Sequence, residues 1–254
     1  MEIALAALVT LVTALAVQVA FSPAAAGRPT LFLALGVPYA VFAALAIRRL
    51  RRVEAAATEA PEGPASAEST DATDATEGPA SAPGLRRVRL GLRSGDLTFG
   101  FVFALVLGLL SALGRRVLAP TGSPAELWLV RIYLQFGEVP REKGAYVATA
   151  AAIVVLTLLE ELTWRGLVQS LLEARFGPRL AWPLGALLFS AAHLPSLWRL
   201  EAPGLGLNPF VMLAALGCGG AWGFAAARLG RLGPSLASHA LYTYGLTMAF
   251  PLWP

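Results

Sequence analysis

Charged residues and cysteine are scarce in this chain of 254 residues, and each scarcity excludes a class of protein. A single cysteine excludes a disulfide framework. Only 14% of the residues are charged and 56% are hydrophobic, and the mean hydropathy of +0.63 excludes an ordinary soluble domain. The net charge of +4 is mostly a membrane-facing bias, so we expect no nucleic-acid partner. The composition predicts an all-α, polytopic transmembrane helical bundle of about seven to eight helices.

Seven apolar stretches have roughly the length that crosses a hydrocarbon layer of about 30 Å. They lie at residues 5–21, 31–47, 97–113, 146–160, 180–198, 210–227 and 235–250. Glu2 precedes the first stretch in place of the basic residues of a signal peptide, so we expect a retained span. A further stretch, residues 125–136, mixes apolar side chains with Glu126 and Arg131, which favours an interfacial helix.

The segment between the second and third spans differs in composition from the rest of the chain. Residues 53–84 are rich in Ala, Glu, Pro, Ser, Thr, Asp and Gly, and they contain no aromatic residue. Such a segment buries too little apolar area to offset its chain entropy, which predicts a disordered tether. We therefore expect a transmembrane hairpin over residues 1–52, a linker with a basic end over 53–96, and a transmembrane core over 97–254.

Arginines flank this linker and predict the side of the membrane on which it lies. Four of them close the second span and four precede the third, so the positive-inside rule predicts a cytoplasmic linker and N-terminus. The loop 114–143 departs from the rule, because it carries arginines and a lysine on the predicted outer side. The excess of Ala, Arg, Leu, Gly and Pro is typical of a GC-rich bacterial genome. We expect a multi-pass protein of the cell inner membrane.

Residues able to do chemistry form three short patterns inside the apolar stretches of the C-terminal half. They are Glu160-Glu161-x-x-x-Arg165, Phe189-x-x-x-His193, and His239 with Thr243 one helical turn later. Burial of an ionisable group in hydrocarbon costs at least a few kcal/mol, so intramembrane Glu, Arg and His are functional candidates. Taken singly, a Glu-Glu pair more often marks a span boundary and a lone histidine more often packs between helices. The joint pattern favours a site.

Helix geometry predicts that the first two patterns face each other. One long helix is expected to end at Gly177, where the chain turns into a second helix. Glu160 lies about 17 residues before this turn and His193 about 16 residues after it, so both are roughly 25 Å from it at 1.5 Å per residue. Glu161 and Arg165 have the i, i+4 spacing of an ion pair. That pairing would leave Glu160 as the carboxylate without a local partner, able to act as a base.

The three patterns resemble the motifs of the CPBP family of intramembrane endopeptidases, also named the ABI or CAAX-protease-like family. This family includes the Ras-converting CAAX endopeptidases and the myxosortase-like sorting proteases. The resemblance covers about residues 145–250 and rests on the patterns Glu-Glu-x-x-x-Arg, Phe-x-x-x-His and His-x-x-x-Asn. This chain departs from the third pattern, because Thr243 stands where most members carry Asn or Asp.

The resemblance implies hydrolysis of a peptide bond at or within the membrane. We expect a glutamic-type site without a cofactor. The resemblance also implies that Glu160 with His193 activates a water, and that His239 with Thr243 stabilises the oxyanion. Such an oxyanion contact is often worth roughly 3–4 kcal/mol. Glu161, Arg165 and Phe189 would hold the shape of the site.

Zinc is the alternative chemistry at this site. Glu160, His193 and His239 could form a three-ligand set that leaves one position for water. The chain has no His-Glu-x-x-His pattern, and Glu160 as a ligand would leave Glu161 alone as a base. We favour the metal-free mechanism.

The expected partners are the lipid bilayer and a membrane-associated protein or peptide substrate. Three substrate classes stay open, namely a prenylated CAAX protein, a bacteriocin precursor leader and the C-terminal sorting tail of a surface protein. The bacterial composition makes the first the least expected. The alternative function is a non-catalytic member of the fold, such as a bacteriocin-immunity or scaffold protein, which the missing asparagine supports. A transporter is disfavoured because no internal inverted repeat is visible.

Overall fold

The computed structural model describes residues 1–59 and 88–252, and these ranges are almost wholly helical, with two isolated β-bridges and no strand. Helix α1 (Glu2–Ala20) and helix α2 (Pro29–Glu59) form an N-terminal hairpin. The buried residues of α1 recur every three or four positions, as one helix face requires, and they are Ala6, Val9, Thr13, Val17 and Ala20. This face packs α1 against α2.

Along the chain, two helices lie between the hairpin and the first motif of the predicted site. Helix α3 spans Asp96–Leu118, and the short helix α4 spans Glu126–Phe136, close to the bounds expected of the interfacial helix. Gln135 of α4 is buried, and its amide nitrogen donates to the carbonyl oxygen of Ala20 at 2.7 Å. Helix α4 is therefore tied to the loop of the N-terminal hairpin.

A single continuous helix carries the first motif, as the sequence predicts. It consists of α5 (Lys143–Glu161), a π-helical segment (Leu162–Val168) and α6 (Gln169–Phe176). The helix ends at Gly177, whose φ of +75° belongs to the left-handed region that glycine adopts without strain.

The carboxylate of Glu142 caps the start of this long helix. It accepts hydrogen bonds from the backbone N–H groups of Gly144 and Ala145 at 2.8 and 2.6 Å. These two bonds stabilise the ionised carboxylate, so they lower the pKa of Glu142.

The remaining helices close the bundle around the long helix. Helix α7 (Pro178–Ala192) returns antiparallel to α6 and is followed by the short helix α8 (Ser196–Arg199). Helix α9 (Phe210–Leu229) packs along α7. Helix α10 (Gly233–Tyr244), which runs into a π-helical turn (Gly245–Ala249), packs on both α3 and α5.

The N-terminal hairpin and the C-terminal half share one hydrophobic core. Leu35 and Tyr39 of α2 are buried in the same cluster as Trp164, Leu171 and Phe189. The hairpin therefore forms one wall of the region that holds the predicted site.

Six helices within the described ranges are long and apolar enough to cross a membrane. They correspond to six of the seven predicted spans. The seventh predicted span consists of α10 and its π-helical turn, which together are shorter than the other six. The chain is thus a polytopic all-α membrane protein, as its composition predicts.

The predicted linker lies largely outside the described residues. Its described start, Val53–Glu59, is not irregular but continues α2, because alanine and glutamate are strong helix formers. Its described end packs on the bundle, since Val88 is buried and its N–H donates to Glu173 Oε2 at 3.2 Å. Residues 60–87 are outside the described ranges, so the tether and the three-part division stay predictions.

Candidate active site

Side chains from three helices converge on the carboxylate of Glu160, which stands one residue before the end of α5. The Nε2 atom of His193, at the C-terminal end of α7, lies 3.9 Å from Glu160 Oε1. The Nε2 atom of His239, on α10, lies 3.5 Å from Glu160 Oε2. The two histidines therefore face the same carboxylate, each nearest to a different oxygen. The hairpin geometry predicts this placement for His193.

The backbone fixes the tautomer of His193. Its Nδ1 lies 2.8 Å from the carbonyl oxygen of Phe189, which can only accept a hydrogen bond. Nδ1 therefore carries the proton, and in the neutral ring Nε2 presents its lone pair toward Glu160. The separation of 3.9 Å exceeds a direct hydrogen bond, so a water can contact both Nε2 and the carboxylate.

His239 connects the two carboxylates of the first motif. Its Nδ1 lies 3.1 Å from Glu161 Oε2, while its Nε2 faces Glu160. The ring is 4% exposed and stacks on the indole of Trp222, with centroids 3.9 Å apart and planes inclined by 22°. Glu161 thus orients His239, a contact that sequence spacing could not predict.

Glu161 and Arg165 form the predicted ion pair, with Arg165 NH1 3.1 Å from Glu161 Oε2. Both side chains are fully buried, and Arg165 NH2 also donates to the carbonyl oxygen of Gly219 on α9 at 2.8 Å. The guanidinium carbon lies 4.8 Å above the ring centroid of Phe189, close enough for a cation–π contact. The pair therefore neutralises itself and joins the long helix to α9.

The side chain of Phe189 contributes to the site through packing alone. Its ring makes edge contacts with Trp164 and His193, at centroid distances of 5.1 and 4.7 Å. Gly219 leaves the space for this ring, because a Cβ there would lie 2.6 Å from Phe189 Cδ1. The absence of a side chain at Gly219 thus permits the close approach of α7 and α9.

Tyr39 is a site residue that sequence reasoning missed. Its hydroxyl donates to Glu160 Oε1 at 2.7 Å, and the tyrosine is 2% exposed. The expectation concerned a local partner, and the partner that Glu160 does have is distant in sequence, because α2 supplies a donor from 121 residues away. A hydroxyl-bearing side chain in the middle of the second apolar stretch was the available signal.

Thr243 is not part of this network. Its side chain is half-buried and, within the described residues, its hydroxyl makes no hydrogen bond to Glu160, His193 or His239. Its carbonyl oxygen accepts a 2.6 Å hydrogen bond from the hydroxyl of Thr247.

Accessibility separates the two carboxylates. The side chains of Glu160 and His193 are 14% and 12% exposed, whereas that of Glu161 is fully buried. Only Glu160 of the adjacent pair can therefore meet a water or a substrate. The described residues contain no group of three or more His, Cys, Asp or Glu arranged to hold a metal ion.

Comparison with known families agrees with this geometry. A family model described as type II CAAX prenyl endopeptidase Rce1-like matches residues 142–245, which carry all three motifs. The hairpin with Tyr39, α3 and α4 lie outside the match. Neither a curated protein nor a solved structure gave a match to the chain. Residues 142–245 are therefore similar to the CAAX-protease-like family of membrane endopeptidases, in agreement with the resemblance of the three motifs.

Proposed function

We propose that this protein is an intramembrane endopeptidase that hydrolyses a peptide bond of a membrane-associated protein or peptide. The observation that carries the proposal is the pair of partly exposed groups, Glu160 and His193, held 3.9 Å apart beside a fully buried ion pair. A carboxylate and an imidazole at this distance can share one water and take its proton as it attacks a carbonyl carbon.

The first step then consists of proton transfer from the water to Glu160 and formation of a tetrahedral oxyanion. Breakdown of this intermediate returns the proton from Glu160 to the departing amine. His193, with Nδ1 held by a carbonyl, keeps Nε2 directed at the water. Its role is to orient the water and to assist the proton transfer.

His239 is the proposed stabiliser of the oxyanion. Glu161 accepts a hydrogen bond from Nδ1, which holds the ring with Nε2 directed toward Glu160. An N–H at this Nε2 would donate to the oxyanion in a poorly hydrated site.

Neutralisation of Glu160 tests the proposal. Glu160→Gln keeps the shape of the side chain and removes the base, so cleavage by the purified protein in liposomes should fall below detection while the protein still inserts. A matched control is Glu138→Gln, since this glutamate precedes the long helix and lies outside the site. Undiminished cleavage by Glu160→Gln would reject the enzymatic mechanism.

The substrate class, the inner-membrane location and the cytoplasmic N-terminus belong to this proposal. A leader peptide or a C-terminal sorting tail fits best with the bacterial composition. The absence of Thr243 from the hydrogen-bond network supports one competing function, a non-catalytic immunity or scaffold protein of the same fold. A wild-type protein that cleaves none of the three substrate classes, yet protects cells from a bacteriocin, would favour that competitor.

A further inference from the structure

We propose that Tyr39, which lies outside the segment that matches the family, is a positioning residue for Glu160. The inference rests on the proposed function and adds the N-terminal hairpin to the active site. The hydrogen bond from the Tyr39 hydroxyl to Glu160 Oε1 measures 2.7 Å, against 3.5 and 3.9 Å for the two histidine contacts. The phenol is thus the strongest partner of the carboxylate on which the chemistry depends.

Tyr39 is itself held at two points. Its ring is buried in the core that α2 shares with Trp164 and Phe189. Its carbonyl oxygen lies 3.4 Å from the hydroxyl of Thr163, which also donates to the carbonyl oxygen of Leu159 at 2.8 Å. The backbone of Tyr39 thus lies against Thr163, three residues after Glu160, and the buried ring leaves the phenol little freedom to leave the carboxylate.

Packing alone does not explain a tyrosine at this position. A phenylalanine would fill the same volume without placing a hydroxyl inside an apolar helix bundle. Burial of a hydroxyl costs free energy unless it is hydrogen-bonded, and Glu160 supplies that bond. The hydrogen bond to the Glu160 carboxylate therefore explains why a hydroxyl is tolerated at this buried position.

The hydrogen bond from Tyr39 sets the orientation of the Glu160 carboxylate and so decides which neighbour each of its oxygens faces. With Oε1 bound to the phenol, the carboxylate plane is set and Oε2 stays on the side of His239. The groups that face or adjoin Glu160 are Tyr39 from α2, His193 from α7, His239 from α10 and the Glu161–Arg165 pair.

Without the phenol, Glu160 would be free to rotate toward either imidazole and to leave the position in which a water fits between the carboxylate and His193. Tyr39 thus keeps the carboxylate apart from His193 while leaving it accessible.

Tyr39→Phe in the full chain, reconstituted in liposomes, tests this role. Loss of a hydrogen bond to a charged group should lower kcat by about 10- to 100-fold, and KM should change by less than about two-fold. The carboxyl stretching band of Glu160, assigned by its loss in Glu160→Gln, should move to higher wavenumber. The infrared measurement needs no substrate, so it stands even if the proposed function fails.

Tyr146→Phe is the matched control. This tyrosine lies on the same helix as Glu160, about 21 Å away along its axis, and its hydroxyl bonds the hydroxyl of Tyr244 at 2.8 Å. It should leave kcat and the Glu160 band unchanged.

Replacement of Tyr39 by 3,5-difluorotyrosine, a stronger donor of nearly equal size, covers the case in which the phenylalanine variant does not fold. It should move the band to lower wavenumber. A Glu160 band unaffected by both replacements would overturn the inference. So would a kcat for Tyr39→Phe equal to that of Tyr146→Phe. Retained cleavage by Glu160→Gln would instead reject the proposed function and leave the infrared result to stand.

Discussion

Gly219→Ala should damage the site without touching any proposed reacting group. A Cβ at this position would lie 2.6 Å from Phe189 Cδ1 and 3.3 Å from Arg165 NH2. Carbon atoms in ordinary contact stand about 3.5–4.0 Å apart, so the Phe189 ring must move by roughly 1 Å or α9 must withdraw. Both neighbours are buried, and overpacking of this kind typically costs about 1–3 kcal/mol of folding free energy.

The displacement should also reach the chemistry. Phe189 makes an edge contact with His193 and supplies the carbonyl that fixes its tautomer. Arg165 donates to the Gly219 carbonyl and pairs with Glu161. Because a misplacement of about 1 Å in a catalytic group can cost about 100-fold in rate, we expect Gly219→Ala to lower kcat by a factor of this order.

Gly217→Ala is the matched control on the same helix. No atom beyond the adjoining helix backbone lies within 4 Å of a Cβ at position 217, so this change adds the same methyl group in open space. It should be neutral or stabilise by up to about 1 kcal/mol, because alanine is the better helix former. Thermal unfolding in detergent and cleavage in liposomes give both quantities. If Gly219→Ala matches Gly217→Ala in stability and rate, the close approach of α7 and α9 has no role in the site.

The two remaining predictions concern the oxyanion and the metal. Within the described residues the Thr243 hydroxyl makes no hydrogen bond to Glu160, His193 or His239, so Thr243→Val should retain cleavage within about three-fold in liposomes. A direct oxyanion donor would lose about 100-fold or more, and such a loss would contradict this prediction. Thr243→Asn should keep or raise the rate if the cavity admits the amide. Purified protein should contain no stoichiometric zinc by elemental analysis and should stay active in a strong chelator; one zinc per chain, lost together with activity, would reverse the proposed mechanism.

Local helix geometry explains what the sequence could predict of the site. The rise per residue is constant, so counting from the turn at Gly177 predicts that Glu160 and His193 lie at one depth, and they do. The i, i+4 spacing likewise predicts the Glu161–Arg165 pair, which forms across the junction into the π-helical segment. Both predictions need only one helix or one hairpin.

Contacts between distant segments were beyond such counting. The bond from Tyr39 to Glu160 depends on how α2 packs against the end of α5, and no periodicity encodes that packing. Thr243 shows the converse limit. It shares a helix face with His239 by spacing, yet its hydroxyl stays outside the network, because the orientation of α10 is set by its contacts with α3 and α5.

The buried pair of Glu161 and Arg165 also bears on how the chain enters the bilayer. Each charge at the centre of a span costs about 2.5–3.5 kcal/mol during insertion. Because the two residues are one turn apart on one helix, they can neutralise each other before any neighbouring helix arrives. His239 reaches Glu161 only when α10 docks against α5. Insertion of the charged segment and completion of its hydrogen-bond network are therefore separate steps in biogenesis, the first local and the second dependent on assembly of the bundle.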